Sequence, residues 1–120
     1  MVVNVIPITQ FAIEADNAAI GGIGIIPNED VNKIQAEIGY WIGEEYWGKG
    51  IGTAALKTVT EYAFNNFYFT RLYANIFDWN APSIRILEKA GYEYEGRLKK
   101  SVIKDGRIID QLIYAKLRQV

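Results

Sequence analysis

Cysteine and histidine are both absent from the 120 residues of the sequence. Without cysteine the chain can form no disulfide bond, carry no thiolate nucleophile and build none of the usual structural zinc sites. Without histidine it lacks the commonest metal ligand and general base. We therefore predict no metal site, and any catalysis must depend on Glu, Asp, Ser, Thr, Tyr, Lys or the backbone.

An excess of one charge is also lacking, because 13 Lys and Arg stand against 14 Asp and Glu, for a net charge of −1. The longest basic block is Lys99-Lys100, too little to attract nucleic acid or an anionic membrane surface. No apolar run approaches the ~18 residues that cross a membrane, and the first six residues do not resemble a cleavable signal. We predict a cytoplasmic protein with neither a nucleic-acid nor a membrane partner.

Hydrophobic residues, by contrast, make up 50% of the sequence. At this length they suffice for the core of one compact domain, and the chain is too short for two. Alternating apolar residues predict three consecutive antiparallel strands at residues 11–15, 18–26 and 33–42, with a turn at Asp16-Asn17 between the first two. An amphipathic helix follows and ends at Asn65-Asn66.

The second half of the chain alternates between strand and helix. Asn80 as N-cap, Pro82 in the first turn and Gly91 after the last turn predict a second helix. Asp105-Gly106 predicts a tight hairpin turn. The predicted elements are a strand at 72–77, parallel to the third, a helix at 81–90 and hairpin strands at 92–103 and 107–117. The order βββ-α-β-α-ββ predicts an α/β fold with a mixed, mostly antiparallel sheet and two helices.

A glycine-rich loop connects the third strand to the first helix. It consists of Trp47, Gly48, Lys49, Gly50, Ile51, Gly52 and Thr53. Glycines at alternate positions remove the Cβ atoms that would block an anion, and a helix that starts here points free N–H groups at it. The spacing therefore predicts a phosphate-binding loop.

Two common nucleotide motifs fit this loop poorly. Residues 43–49 begin like a nucleotide P-loop, but Gly50 stands where that motif needs Ser or Thr to hold Mg²⁺. A dinucleotide fingerprint would begin at Gly48. Thr53, however, takes the place of its third glycine, and no acidic residue follows at the expected distance on a second strand.

A third pattern fits better. The order of strand, loop and Arg/Gln-x-x-Gly-x-Gly/Ala at a helix start resembles the acetyl-CoA site of the GNAT superfamily of N-acetyltransferases. Gly50 and Gly52 occupy the two small positions, and Trp47 replaces Arg/Gln. The second run of the resemblance consists of Asn80-x-x-Ser83 and then Glu88, Lys89, Ala90, Gly91 and Tyr92. This run is similar to the branch that includes ribosomal-protein N-terminal acetyltransferases and polyamine acetyltransferases, and the likeness extends from about Phe11 to the end.

The resemblance implies one GNAT-like domain over residues 1–120, N-terminally short because the family's opening strand and pair of helices have no counterpart. It also implies acetyl-CoA as co-substrate, held by residues 47–53 and by Asn80 and Ser83 beside the sulfur. The backbone N–H of Ile42 matches the family position that polarises the thioester carbonyl, a type of contact worth roughly 3 kcal/mol in the transition state.

Two side chains are candidates for proton transfer through the same resemblance. Glu37 matches a position where family members often carry a general base for the acceptor ammonium, and Ser83 could protonate the leaving thiolate or only form a hydrogen bond to it. Other interpretations stay open. Glu37 could be a surface residue of its strand, Ile42 the packed end of that strand, and Asn80 and Ser83 ordinary residues of a helix cap.

Together these inferences predict an N-acetyltransferase in which a primary amine attacks acetyl-CoA directly in a ternary complex, since no cysteine can carry an acyl group. The acceptor stays open between a protein N-terminus, a polyamine, an amino acid and an antibiotic amine. The alternative is a non-catalytic CoA-binding or interaction module on the same fold.

A homodimer is also predicted. The residues before Phe11 are too few for the helices that cover one face of the sheet in the family. We expect the apolar side chains of the uncovered face to form a patch larger than a monomer tolerates, which a second subunit would cover. The residues expected in that patch are Ile20, Ile23, Ile25, Ile38 and Ile42.

Overall fold

The computed structural model describes residues 9–15 and 17–119, which form six strands and two α-helices. The elements are β1 (Gln10–Ala15), β2 (Ala18–Pro27), β3 (Gln35–Ile42), α1 (Ile51–Asn66), β4 (Arg71–Phe77), α2 (Ala81–Lys89), β5 (Glu93–Lys104) and β6 (Arg107–Leu117). Their order confirms the predicted α/β fold. No helix in these two stretches is long and apolar enough to cross a bilayer.

The six strands form one mixed sheet in the order β1-β2-β3-β4-β6-β5. Neighbouring strands are antiparallel except β3 and β4, which are parallel, as the crossover through α1 predicts. The parallel ladder is short and ends where Glu37 pairs with Tyr73. Beyond that pair the two strands separate, so a gap opens in the middle of the sheet.

Local sequence signals explain the ends of α2. The side chain of Asn80 accepts a hydrogen bond from the backbone N–H of Ser83 at 3.3 Å, which confirms the predicted N-cap. Gly91 has a φ of 89° and follows the helix, in the left-handed conformation that glycine favours at this position.

The hairpin turns follow the same kind of signal. Asp105 and Gly106 have φ values of 52° and 76°, the two positive angles that a type I′ turn requires. Asn17, in the first hairpin, has a φ of 62°. Its predicted partner in that turn, Asp16, lies outside the described residues.

The core lies on one face of the sheet, under both helices. Ile38 of β3 and Leu72 of β4 point to this face, and Leu56 of α1 and Leu87 of α2 pack in the same cluster. Between the two layers, a buried hydrogen bond of 2.6 Å joins the hydroxyls of Thr60 and Tyr92.

The predicted apolar patch was assigned to the wrong residues. Ile20, Ile23, Ile25 and Ile38 are all buried, between 1% and 4% exposed, and Ile42 packs against the same core. Alternate positions of a strand share a face, and both helices pack on the face to which Ile23, Ile25, Ile38 and Ile42 belong. Ile20 is out of step with Ile23 and reaches the same core where the β1–β2 register shifts. The five isoleucines are therefore core residues.

The opposite face of the sheet carries no helix within the described residues, and we call it the helix-free face. It exposes Ile26, Trp41 and Leu117, which are 52%, 64% and 60% exposed. Tyr73 and Phe77 of β4 lie on this face and are partly buried. Exposed apolar side chains do occur on the helix-free face, but they are not the five that were predicted.

Candidate active site

The gap between β3 and β4 leaves backbone groups of β3 without a neighbouring strand. The N–H of Gly43, just after β3, donates to the carbonyl of Ile20 at 2.8 Å. In an antiparallel pair, every second residue of a strand forms its backbone hydrogen bonds with the same neighbouring strand. The odd-numbered residues of β3 therefore hydrogen-bond to β2. Ile42 therefore points its N–H towards β4, where the ladder has already ended. This amide faces the gap.

A cleft of about 260 Å³ lies between the glycine-rich loop, the end of β3 and the start of α2. We call it the loop cleft. Lys49 and Ile51 do not line it. The predicted binding residues that do line it are Ile42, Trp47, Gly48, Gly50, Gly52, Thr53, Asn80 and Ser83.

The glycines of the loop serve two different purposes. Gly48 and Gly50 have φ values of 75° and 79°, and a Cβ on either would meet no atom within 4 Å. They leave open space beside the first free N–H groups of α1, as an anion site requires. A Cβ on Gly52 would instead lie 2.6 Å from Cδ1 of Ile42 and 2.8 Å from Cδ1 of Ile86. Gly52 thus allows α1 to pack closely against β3 and α2.

The side chains of Trp47 and Lys49 contact residues next to the loop or within it. The indole Nε1 of Trp47 donates a 2.8 Å hydrogen bond to the carbonyl of Ile42, which ties the loop to the end of β3. The Lys49 ammonium lies 5.6 Å from the centre of the Tyr46 ring. Glu44, at the start of the loop, is exposed and does not line the cleft.

Two cations that the sequence reasoning missed line the loop cleft: Arg85 and Lys89 of α2. They are four residues apart on one helix, where like charges repel by about 0.2–0.5 kcal/mol. That unfavourable spacing, one turn after Ser83, was the signal available in the sequence. No Asp or Glu is among the described residues that line the cleft. Its open glycine positions and its positive charge fit the phosphates of coenzyme A.

A second cavity, of about 200 Å³, occupies the gap between β3 and β4, and we call it the strand slot. Glu37 lines it from β3, Asn75 and Phe77 line it from β4, and Gln111 lines it from β6. Glu37 is therefore partly buried in a cavity rather than fully turned to solvent. Across the described residues, no three acidic side chains cluster in a way that could hold a metal ion.

The two cavities meet at Tyr40, Asn80 and Ser83, which line both of them. The Ser83 hydroxyl donates to the Tyr40 hydroxyl at 3.0 Å, and the Tyr40 hydroxyl donates to the Ser83 carbonyl at 3.3 Å. Burial raises the pKa of Tyr40 above its ordinary value, and the hydrogen bond from Ser83 lowers it in part. Burial thus makes loss of the Tyr40 proton harder than it is in water. The sequence did not predict Tyr40 as a site residue, because a tyrosine at this position of β3 is typical of a strand that packs against the core.

Comparison with known proteins agrees with this geometry. The family described as Acetyltransferase (GNAT) domain matches residues 6–93. The uncharacterized N-acetyltransferase p20 of Bacillus licheniformis is 33% identical over 85 residues, or 71% of this chain and 48% of that protein. The spermidine N(1)-acetyltransferase of Escherichia coli (strain K12) is 30% identical over 98 residues, or 82% and 52%. The structure of Mycobacterium smegmatis RimJ in complex with CoA-disulfide has a TM-score of 0.80 at 31% identity, covering 91% of this chain and 53% of that one.

The fold and the loop cleft define an acetyltransferase domain. The chain belongs to the GNAT family, as the two runs of sequence resemblance predicted. It spans about half the length of the curated relatives that it matches.

Proposed function

We propose that this chain carries the catalytic site of an acetyl-CoA-dependent N-acetyltransferase, in which a primary amine attacks the thioester directly in a ternary complex. The observation that carries the proposal is the meeting of two cavities of opposite charge. The loop cleft is lined by Arg85 and Lys89 and the strand slot by Glu37. A polyanionic co-substrate and a cationic acceptor can therefore approach the same point from two sides.

The loop cleft holds the co-substrate. The free backbone N–H groups at the start of α1 bind the pyrophosphate, Gly48 and Gly50 leave the room that it needs, and Arg85 and Lys89 supply the opposite charge. When bound, acetyl-CoA supplies the thioester acetyl group. Asn80 and Ser83 lie where the two cavities meet and contact the end of the pantetheine arm.

The Ile42 N–H acts on the acetyl group, and the Glu37 carboxylate acts on the acceptor amine. The Ile42 amide faces the gap and is fixed by the sheet, so it donates to the carbonyl oxygen of the acetyl group without any rearrangement. Glu37 lines the slot and takes a proton from the acceptor ammonium, directly or through water, which leaves a neutral amine able to attack.

Ser83 is the proton donor for the departing sulfur, with Tyr40 as its partner. In the free protein the Ser83 hydroxyl donates to Tyr40 at 3.0 Å, so it turns from Tyr40 to the sulfur before it gives up its proton. Burial raises the pKa of Tyr40, so the Tyr40 hydroxyl keeps its own proton, and the Ser83 oxygen recovers a proton from water. The position that bears a tyrosine acid in many GNAT enzymes is occupied here by Leu87, which is fully buried in the core.

Release of free CoA tests the proposed reaction. The purified protein is mixed with acetyl-CoA and one amine from each class: a peptide with a free N-terminus, spermidine, an amino acid and an aminoglycoside. Amine-dependent release of thiol is expected with at least one of them. A protein that acetyl-CoA stabilises against heat, but that releases no thiol with any amine, would be a binding module instead.

We also propose a homodimer that forms through the helix-free face and leaves the strand slot, which Glu37 lines from that face, open to the acceptor. Ile26, Trp41 and Leu117 are each more than half exposed on that face, and contact with another protein surface would remove their apolar area from water. A two-fold symmetric pair would bury the same side chains of both subunits. The cytoplasmic location expected from the sequence stays a prediction.

A further inference from the structure

The hairpin of β5 and β6 continues beyond the sheet as a two-stranded ribbon. The ladder between β4 and β6 ends at the pair of Phe77 and Gln111, whereas β5 and β6 stay paired as far as Lys104 and Arg107. At about 3.4 Å per residue, β6 runs roughly 14 Å past that last rung. Residues 99–110 have no third strand beside them among the described elements, and we call them the ribbon. The Lys104 ammonium lies 5.4 Å from the centre of the Phe77 ring, so the ribbon curls towards the end of β4.

Hydrogen bonds and ion pairs join the base of the ribbon to the rest of the fold. Nη1 of Arg97 donates to the carboxylates of Asp78 and Asp110, at 2.9 Å each. Asp110 also accepts the backbone N–H of Lys100 at 2.8 Å, within a bulge of β5. The Lys100 N–H and the Arg97 guanidinium hold the pKa of Asp110 below its ordinary value. Because an isolated hairpin is only marginally stable in water, these contacts are what gives the ribbon a defined position.

The ribbon carries a positive charge that the chain as a whole does not. Its exposed cations are Lys99, Lys100, Lys104 and Arg107. Asp105 is the one acid among residues 99–107, so this segment has a net charge of +3 in a chain whose net charge is −1. None of the four cations forms an ion pair within the described residues. Lys104 and Arg107 are also direct cross-strand partners, a placement in which like charges destabilise a hairpin.

An exposed apolar pair lies among these cations. Ile103 and Ile108 are direct cross-strand partners and are 76% and 63% exposed. Lysines and bulges on an edge strand commonly prevent it from pairing with another sheet, and Lys99 and Lys100 in the bulge have that effect. Exposed isoleucines have the opposite effect, because they favour contact with another chain. Edge protection therefore explains the bulge but not the isoleucine pair.

The composition of the ribbon favours an acidic polypeptide over a nucleic acid. Proteins that bind single-stranded nucleic acids typically stack the bases on aromatic side chains, and residues 99–110 contain no Phe, Tyr or Trp. Carboxylates of a polypeptide can pair with the cations, and an apolar side chain can remove the isoleucines from water. We propose that the ribbon binds an acidic segment of a partner protein, with one apolar residue of that segment packed on Ile103 and Ile108. This binding is additional to acetyl transfer and does not require it.

The first test measures the binding of a labelled peptide of Asp and Glu with a single central Leu. Fluorescence anisotropy at physiological salt should give a micromolar Kd, which added salt raises. Lys104→Glu combined with Arg107→Glu should weaken binding at least about tenfold, because two attractions become repulsions. Lys33→Glu combined with Lys57→Glu makes the same change of charge at exposed positions outside the ribbon and should leave the Kd unchanged. Equal weakening by both pairs would show that net charge alone attracts the peptide, and it would overturn the proposal.

The second test asks whether the isoleucine pair contacts the central Leu of the peptide. Ile103→Ser in the protein and Leu to Ser in the peptide are measured singly and together. Each change should weaken binding several-fold, and the two together should weaken it no more than one alone, because both remove the same contact. Val31→Ser, at an apolar position that is 88% exposed, is the matched control and should bind as the parent does. Full additivity, or no effect of Ile103→Ser, would contradict the proposed contact.

Two further outcomes would replace the acidic polypeptide with another occupant. Tighter binding of single-stranded poly(U) RNA than of the peptide, unaffected by Ile103→Ser, would make the ribbon a nucleic-acid site. Loss of a dimer in sedimentation on combining Lys104→Glu with Arg107→Glu would make the occupant a second copy of this chain. All of these tests measure binding, so a protein that releases no thiol with any amine would refute the proposed function and leave this inference in place.

Discussion

Two glycines with nearly the same backbone conformation allow the phosphate-binding role of the loop to be tested against a matched control. Gly50 has a φ of 79° and lines the loop cleft, and Gly106 has a φ of 76° in the distant β5–β6 turn. A Cβ at either position would meet no protein atom within 4 Å. Substitution by alanine therefore imposes the same backbone strain at both sites and no steric clash with the protein.

The expected magnitudes follow from that comparison. A non-glycine residue in the left-handed region costs roughly 1–2 kcal/mol, so Gly50→Ala and Gly106→Ala should lower the free energy of unfolding by similar amounts in urea titrations. Only Gly50→Ala places a methyl group in the space left for the pyrophosphate. By calorimetry it should bind CoA about tenfold more weakly, or ~1.4 kcal/mol, and Gly50→Val should lose binding altogether while still folded.

Gly106→Ala should bind CoA as the parent does. If folded Gly50→Ala and Gly50→Val bound CoA as tightly as Gly106→Ala, residues 47–53 would not hold the pyrophosphate. The loop would then be a helix start of purely structural importance.

Three further predictions follow from other parts of the molecule. Glu37→Gln should leave CoA affinity unchanged, lower kcat by about 10²-fold and flatten the acid limb of the rate profile, whereas activity within a few-fold of the parent would make Glu37 an ordinary strand residue. Thr60→Val should cost about 1–2 kcal/mol in urea because it leaves the buried Tyr92 hydroxyl unpaired, and the exposed Thr58→Val is its control. Burial raises the pKa of Tyr92 to about 12 from an ordinary 10.0, against the Thr60 hydrogen bond that lowers it. Its contribution to stability should therefore be complete below pH 10 and be lost as the pH rises towards 12, and urea midpoints that stay constant across that interval would refute this. Sedimentation at micromolar concentration should show a dimer that Ile26→Lys dissociates, and a monodisperse parent monomer would exclude the proposed interface.

The order of the elements and the ends of many of them could be read from the sequence, because the signals are local. Asn80 caps α2 through a bond to a backbone three residues away, and Asp105-Gly106 turns the chain through its own φ angles. The glycine-rich start of α1 was also predicted from local signals, since free N–H groups and missing Cβ atoms depend only on neighbouring residues, whereas its phosphate-binding role stays a prediction. Two separate runs of residues also sufficed to identify the family.

Other features depended on contacts between distant parts of the chain. The alternation of isoleucines showed which residues share a face, but it could not show which face the helices would cover, so the core isoleucines were placed in an exposed patch. Arg85 and Lys89 reach the loop cleft only because α2 packs beside Gly52.

Determined by the sequence alone were the βββ-α-β-α-ββ order and the glycine-rich start of α1, because both depend on residue identity and short spacing. The tertiary structure alone decided that β3 and β4 separate after Glu37 and Tyr73. Because of that separation, Glu37 and Asn75 line one slot, and the Ile42 amide faces the gap between the two strands. Where two parallel strands stop pairing depends on contacts between residues that are far apart in the sequence, and no local pattern along either strand predicts it.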